Sequence, residues 1–119
     1  SLIAIPLVTH ISLTTAYIND VDGLGVFAQQ LFAFGKEGDV FLGISTSGNS
    51  ENVMRAAVVA KALGTKVVGL TGEHGGELAV AADVAVKVPE TETYLIQELH
   101  LPVYHCWCSM LEEKFFGQA

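Results

Sequence analysis

Three short apolar runs constrain this chain more than any other feature. Val40-Phe41-Leu42-Gly43-Ile44, Lys66 to Leu70 and Val84 to Val88 carry almost no polar residue between turn-forming neighbours. They are too short for a buried helix and lack the alternation of a half-solvated strand. They read as strands covered on both faces. Helical patterns separate them. Glu51 to Leu63 places Val53, Ala56, Ala57, Ala60 and Leu63 on one face and closes at Gly64. Ser50 is its candidate N-cap, although Val53 denies it a capping box. Gly76 to Ala82 reads as a short helix, and Thr93 to Phe116 as a long one that Pro102 should kink or split. Strands and helices alternating at this spacing predict a parallel α/β sheet with right-handed crossovers.

Ahead of these elements the pattern is less regular. Leu2 to Thr9 reads as a short buried strand interrupted by Pro6, and Ser12 to Ile18 as a short helix. Asn19 and Asp20 mark a turn. Gly25 to Phe34 follows as a helix with Val26, Phe27, Leu31 and Phe34 on its apolar face, and Gly35 suits its C-terminus.

Composition narrows the function classes. Half of the 119 residues are apolar, 16% are charged, and the mean hydropathy of +0.44 excludes a disordered chain. This much apolar residue suits a doubly covered sheet or an oligomeric interface. Thirteen acids against six scattered bases give a net charge of −7, which argues against nucleic acid or an anionic membrane as the main ligand. One small phosphate group remains compatible, because backbone N–H groups can hold it without net positive charge. Cys106 and Cys108 stand two apart, neither a CxxC pair nor a staple, and read as free thiols of a cytoplasmic protein. No apolar run is long enough to span a bilayer, and Ser1 to Val8 lacks the basic start and cleavage site of a signal peptide. The sequence opens without Met, directly in a strand-like run, so further N-terminal sequence is expected.

The strongest chemical signal is Gly43-Ile44-Ser45-Thr46-Ser47-Gly48-Asn49-Ser50. It leaves the C-terminal end of a buried strand and enters a helix, where open α/β sheets bind their ligands. The helix N-terminus offers unpaired N–H groups and about half a positive charge. Ser45, Thr46, Ser47 and Ser50 add hydroxyl donors, more than an N-cap requires, and Gly48 permits close backbone approach. No P-loop lysine is present, which favours a monophosphate over a triphosphate. Thr71-Gly72-Glu73-His74-Gly75-Gly76 follows the next strand on the same sheet edge. It could help line the same site; alone it reads as a glycine-rich turn with His74 in solvent.

A third feature is Gln97-Glu98-Leu99-His100-Leu101-Pro102-Val103-Tyr104-His105. This set has the residue types for metal binding or proton transfer. Gln97 and His105 are eight residues apart, ~12 Å along a straight helix and about 80° around it. They meet only by leaning together, or else serve different copies of a site in an oligomer. By spacing alone each histidine is as well read as a satisfied core residue, and His100 keeps that reading.

Taken together, the serine-rich loop, Leu70-Thr71-Gly72, Gly75-Gly76 and Ile96-Gln97-Glu98 with His105 resemble the SIS (sugar isomerase) domain family, and within it the bacterial phosphoheptose isomerase branch. The resemblance implies a three-layer α/β/α sandwich with a central parallel sheet. It implies that residues 1–119 are a single, partial SIS domain lacking the family's N-terminal helix and first βα unit. It implies an aldose–ketose isomerase that converts sedoheptulose 7-phosphate to D-glycero-D-manno-heptose 7-phosphate, a precursor of surface polysaccharide. Ser45, Thr46, Ser47 and Ser50 would bind phosphate, and Asn19 and Asp20 would contact substrate. Gln97 would contact substrate and, with His105, would ligate a zinc ion, His105 also serving as an acid/base. The family pattern implies a homotetramer with sites between subunits. The family's Gly-Asn-Gly-Gly-Ser loop and the His and Glu that complete its zinc site have no match here. The alternative within the family is a non-catalytic phosphosugar-binding or replication-initiator-associating protein. The latter resembles this helix but lacks a histidine at position 105.

Overall fold

The structure is a computed structural model that describes residues 2–117. Its element order is α1 (Ile11–Tyr17), a π-helical turn (Ile18–Asp22), a 3-10 turn (Gly23–Gly25), α2 (Val26–Phe34), β1 (Val40–Ile44), α3 (Glu51–Ala62), β2 (Lys66–Thr71), α4 (Gly76–Ala81), β3 (Val84–Lys87) and α5 (Thr93–Phe116). The strands form one parallel sheet in the order β1-β2-β3. Phe41 pairs with Val67 in register, and Leu70 with Val86. This is the α/β sandwich that the alternation predicts. All three C-terminal strand ends lie on one edge, so the loops after them converge there.

The core lies between the sheet and α3, α4 and α2. Phe41 and Val67 meet Val53, Ala56, Ala57, Ala60, Leu78 and Leu31. The alanines explain how close α3 sits, since each removes a bulky side chain from the contact at no cost in helix propensity. Gly43 and Gly69 do the same for the strands: a Cβ on Gly43 would stand 3.0 Å from Val53, and one on Gly69 3.2 Å from Leu78.

The opposite sheet face departs from the expectation of full cover. Leu70 is buried there, but β1 alternates, with Val40 64%, Leu42 39% and Ile44 46% exposed. β1 is an edge strand, and among the described residues its outer face is left partly open.

Other corrections concern local structure. Residues 2–9 form no strand. Pro6 offers no N–H to a ladder, and its carbonyl accepts instead from the Thr9 N–H and hydroxyl in a tight turn. Leu2, Ile3, Ile5 and Val8 stay exposed. Asn19 and Asp20 are not a turn between elements but continue α1 as a π-helical turn. On α2, Phe34 is exposed and Gln30 takes its place in the buried face, its amide donating to the Val26 carbonyl at 3.3 Å. Pro102 does not split α5. The carbonyl it deprives of a partner belongs to Glu98, which faces solvent, where water can replace the lost bond. Among the described residues no helix is long and apolar enough to cross a membrane.

Candidate functional site

The loop 45–50 is built as a cradle. Ser45 is buried at the end of β1, its N–H bonded to the Leu70 carbonyl at 3.1 Å. Its hydroxyl oxygen accepts from the Gly48 N–H at 3.1 Å and lies 2.8 Å from the Ser50 hydroxyl. The arrangement in which Ser45 donates leaves the Ser50 hydrogen free for a ligand oxygen. Ser47 accepts from the Asn49 N–H at 3.1 Å, which leaves its own hydrogen free as well. Ser50 therefore does not cap α3 through its side chain, as the sequence suggests; its hydroxyl is committed to Ser45 and no side-chain cap bond forms. The Val53 N–H is taken by the Asn52 side-chain oxygen at 2.8 Å, which leaves those of Glu51 and Asn52 as the open N–H groups at the start of α3.

Glycine makes the loop possible. Gly48 has φ +71°, and a Cβ there would stand 1.9 Å from the Gly75 carbonyl oxygen. The serine loop and the turn after β2 thus touch backbone to backbone. Further bonds tie them: Gly72 N–H to the Thr46 carbonyl at 3.0 Å, Leu78 N–H to the Gly48 carbonyl at 2.8 Å, and Glu77 N–H to the Asn49 side-chain oxygen at 2.9 Å.

Between these segments and the start of α5 lies a cleft of about 430 Å³. Thr46, Ser47 and Asn49 form one wall, Gly72, Glu73 and His74 another, and Glu90, Thr91, Thr93 and Ile96 the third. A space of this size suits a small-molecule ligand. The turn after β2 does line the cleft, as its place on the same sheet edge allows, and His74 is exposed at that wall. Thr91 and Thr93 carry no motif signal; only the long-range fold brings them here.

The other predicted residues are less gathered. Asn19 and Asp20 are exposed and bonded to each other, the Asn19 amide donating to the Asp20 carboxylate at 3.0 Å. Two residues on, Asp22 caps the following turn through the Leu24 N–H at 3.0 Å and pairs with Arg55 of α3, which also pairs with Glu51. The Leu24 N–H, and then Arg55, hold the Asp22 carboxyl below its ordinary value. This joins the Asn19–Asp20 segment to the helix that follows the serine loop. His100 is buried, with Nε2 3.0 Å from the Thr71 carbonyl oxygen, as its core reading expects.

Gln97 and His105 are both exposed on α5. Zinc in a structural or catalytic site takes three or four protein donors that converge on one point. Among the described residues no group of three His, Cys, Asp or Glu converges in this way. Two donors spaced along one helix do not close a zinc site by themselves, so no step is derived through the metal.

A serine cradle at the switch from β1 to α3, facing a cleft closed by the next two βα connections, defines an α/β domain with a candidate ligand site at its C-terminal strand ends. The SIS domain family matches residues 2–72, and the chain belongs to that family. Over all 119 residues it is 44% identical to a phosphoheptose isomerase of Sulfurimonas denitrificans, covering 61% of that protein. It is 45% identical over 114 residues to a probable phosphoheptose isomerase of Thermoplasma acidophilum, covering 96% of this chain and 63% of that protein. The solved structure of phosphoheptose isomerase GmhA from Neisseria gonorrhoeae superposes with a TM-score of 0.89 at 42% identity, over 92% of this chain and 62% of that one. That of a phosphoheptose isomerase from Francisella tularensis gives 0.91 at 37% identity, over 95% and 63%. The chain spans about three-fifths of the length of these relatives.

Proposed function

We propose that this chain carries the phosphosugar-binding part of an aldose–ketose isomerase that interconverts sedoheptulose 7-phosphate and D-glycero-D-manno-heptose 7-phosphate. The observation that carries the reading is the cleft in which the serine cradle faces the first turn of α5, immediately before Gln97. The cradle would hold the phosphate at one end of the sugar. Binding energy spent there positions the other end, where the reaction occurs.

The chemistry moves one proton between C1 and C2 of the sugar through an enediol. A base takes the C–H proton, and an acid supplies a proton to the carbonyl oxygen. His105 is assigned one of these roles. Asn19, Asp20 and Gln97 are assigned to the sugar hydroxyls. In the same reading a zinc ion takes Gln97 and His105 as two of its ligands, the others coming from outside this chain's described residues. The working unit is a cytoplasmic homotetramer with α5 at an interface. Support for the interface comes from Met110, Leu111, Phe115 and Phe116, all exposed on that helix.

The test is turnover of sedoheptulose 7-phosphate by the intact protein, followed by NMR of the anomeric protons, beside calorimetric binding of the same sugar. Turnover supports the isomerase. Binding without turnover moves the assignment to a non-catalytic phosphosugar-binding SIS protein.

A further inference from the structure

We infer that His100 is a positioning residue that registers α5 against the serine loop; the inference deepens the isomerase reading and rests on it for its kinetic consequence. Only Ile96 and His100 are buried on α5. They stand four residues apart, one helical turn, with Gln97 directly after Ile96 and His105 five residues beyond His100. The placement of both proposed functional side chains therefore depends on how this one turn is held.

The hold is a single peptide group. The Thr71 carbonyl, at the end of β2, accepts twice: from the Val88 N–H at 3.1 Å and from His100 Nε2 at 3.0 Å. A carbonyl only accepts, so Nε2 carries the hydrogen. The N–H of that same peptide belongs to Gly72 and donates to the Thr46 carbonyl of the serine loop at 3.0 Å. The peptide unit is planar and rigid. One end is fixed by α5 and the other by the loop, so a rotation that serves one bond alters the other. Gly72 also leaves no slack, since a Cβ there would stand 2.5 Å from Ile96 and 2.9 Å from the Thr46 oxygen. His100 itself is 3% exposed, so water does not compete for the bond.

The geometry separates two variants. In His100→Gln the side-chain amide can replace the Nε2 donor. In His100→Met the volume is roughly kept and the donor is lost. In the intact protein, His100→Met should lower kcat for sedoheptulose 7-phosphate about 10- to 100-fold, the scale set by small misplacements of reacting groups. Affinity for inorganic phosphate should stay within about twofold, because the cradle's own hydroxyls are untouched. His100→Gln should recover most of the lost kcat. Should His100→Met fail to fold, His100→Asn, too short to reach the carbonyl, carries the same expectation. Hydrogen exchange of the Gly72 amide gives a readout independent of activity: it should rise in the Met or Asn variant and return in the Gln variant. Wild-type kcat with unchanged Gly72 exchange in the donor-less variant overturns the inference, as does a Gln variant no better than Met. A wild-type protein without turnover removes the isomerase reading alone, and the exchange result then decides the positioning role by itself.

Discussion

The hydroxyl of Ser50 lies 2.8 Å from that of Ser45, across a loop whose middle is pinned by the Gly48 N–H on the same Ser45 oxygen. The cradle is thus organised before any ligand arrives. Ser45 serves as its internal post; Ser47 keeps a hydrogen to give, and so does Ser50 in the arrangement where Ser45 donates to it. The two kinds of serine should respond differently to removal. Replacing Ser47 and Ser50 together by Ala should weaken sugar-phosphate binding by about 2–4 kcal/mol, two charge-assisted bonds' worth. Calorimetry would measure that with little change in melting temperature. Ser45→Ala should instead cost about 1–2 kcal/mol of stability, since it removes a buried acceptor. Urea denaturation would read it directly.

Gly48 tolerates no side chain. Its positive φ and its contact with the Gly75 carbonyl mean that Gly48→Ala must both strain the loop and push it from the turn. A loss of about 2–4 kcal/mol is expected by equilibrium unfolding. Gly38 is the internal control. It also has positive φ, +91°, but a Cβ there meets nothing within 4 Å. Gly38→Ala should therefore cost only the backbone term of about 1–2 kcal/mol.

Acid should loosen the fold through two named carboxylates. Asp83 accepts from the Val67 N–H at 2.7 Å, and that bond, then attraction to Lys66 and Lys61, keeps its carboxyl below the ordinary value. Asp22 is held low by the Leu24 N–H and then by Arg55. A carboxyl whose folded value is depressed stabilises the fold above its unfolded value, and the contribution disappears as pH falls through the folded one. The melting temperature should thus decline as pH drops from about 5 toward 2. The Asp22→Asn, Asp83→Asn double variant should start lower at neutral pH and show a shallower decline. Parallel curves for the two proteins would count against the assignment.

His105 is testable apart from the cradle. In the intact protein, His105→Asn should lower turnover by roughly 10²–10⁴, the range for loss of an acid/base group, while phosphate affinity stays near wild type. Zinc content measured by mass spectrometry should fall with it. Wild-type turnover in this variant would return His105 to an ordinary surface residue of α5.

How much of this was readable in the chain differs by region. The runs at 40–44, 66–70 and 84–88 became β1, β2 and β3 within a residue because continuous apolar stretches bounded by turns leave few other structures. The alanine-rich face of α3 was equally plain. Residues 2–9 have the apolar character of a strand, but Pro6 lacks a ladder N–H and its carbonyl closes a turn onto Thr9 instead. The serine cradle was legible because its hydroxyls are contiguous. The wall at 71–76 was legible too, from its place after β2 on the same sheet edge. The third wall was not: Thr91 and Thr93 reach the cleft only through the path of the chain from β3 into α5. The bond from His100 to Thr71 joins positions 29 apart, which no local pattern encodes.

The bonds that tie the cradle to its neighbours have a consequence for how the site comes into being. Those from Gly72 to Thr46 and from Leu78 to Gly48 span 26 and 30 residues, and each waits on β2 lying beside β1. Parallel pairing of this kind is among the slower events of folding, because the intervening loop must be closed before any contact rewards it. The proposed cradle therefore forms with the crossover from β1 to β2 and the turn into α4 rather than with the first helix. A nascent chain that has just completed α3 carries every serine of the cradle and still has no binding site. On the proposed reading, a phosphorylated sugar would stabilise only a molecule in which β2 is already paired with β1.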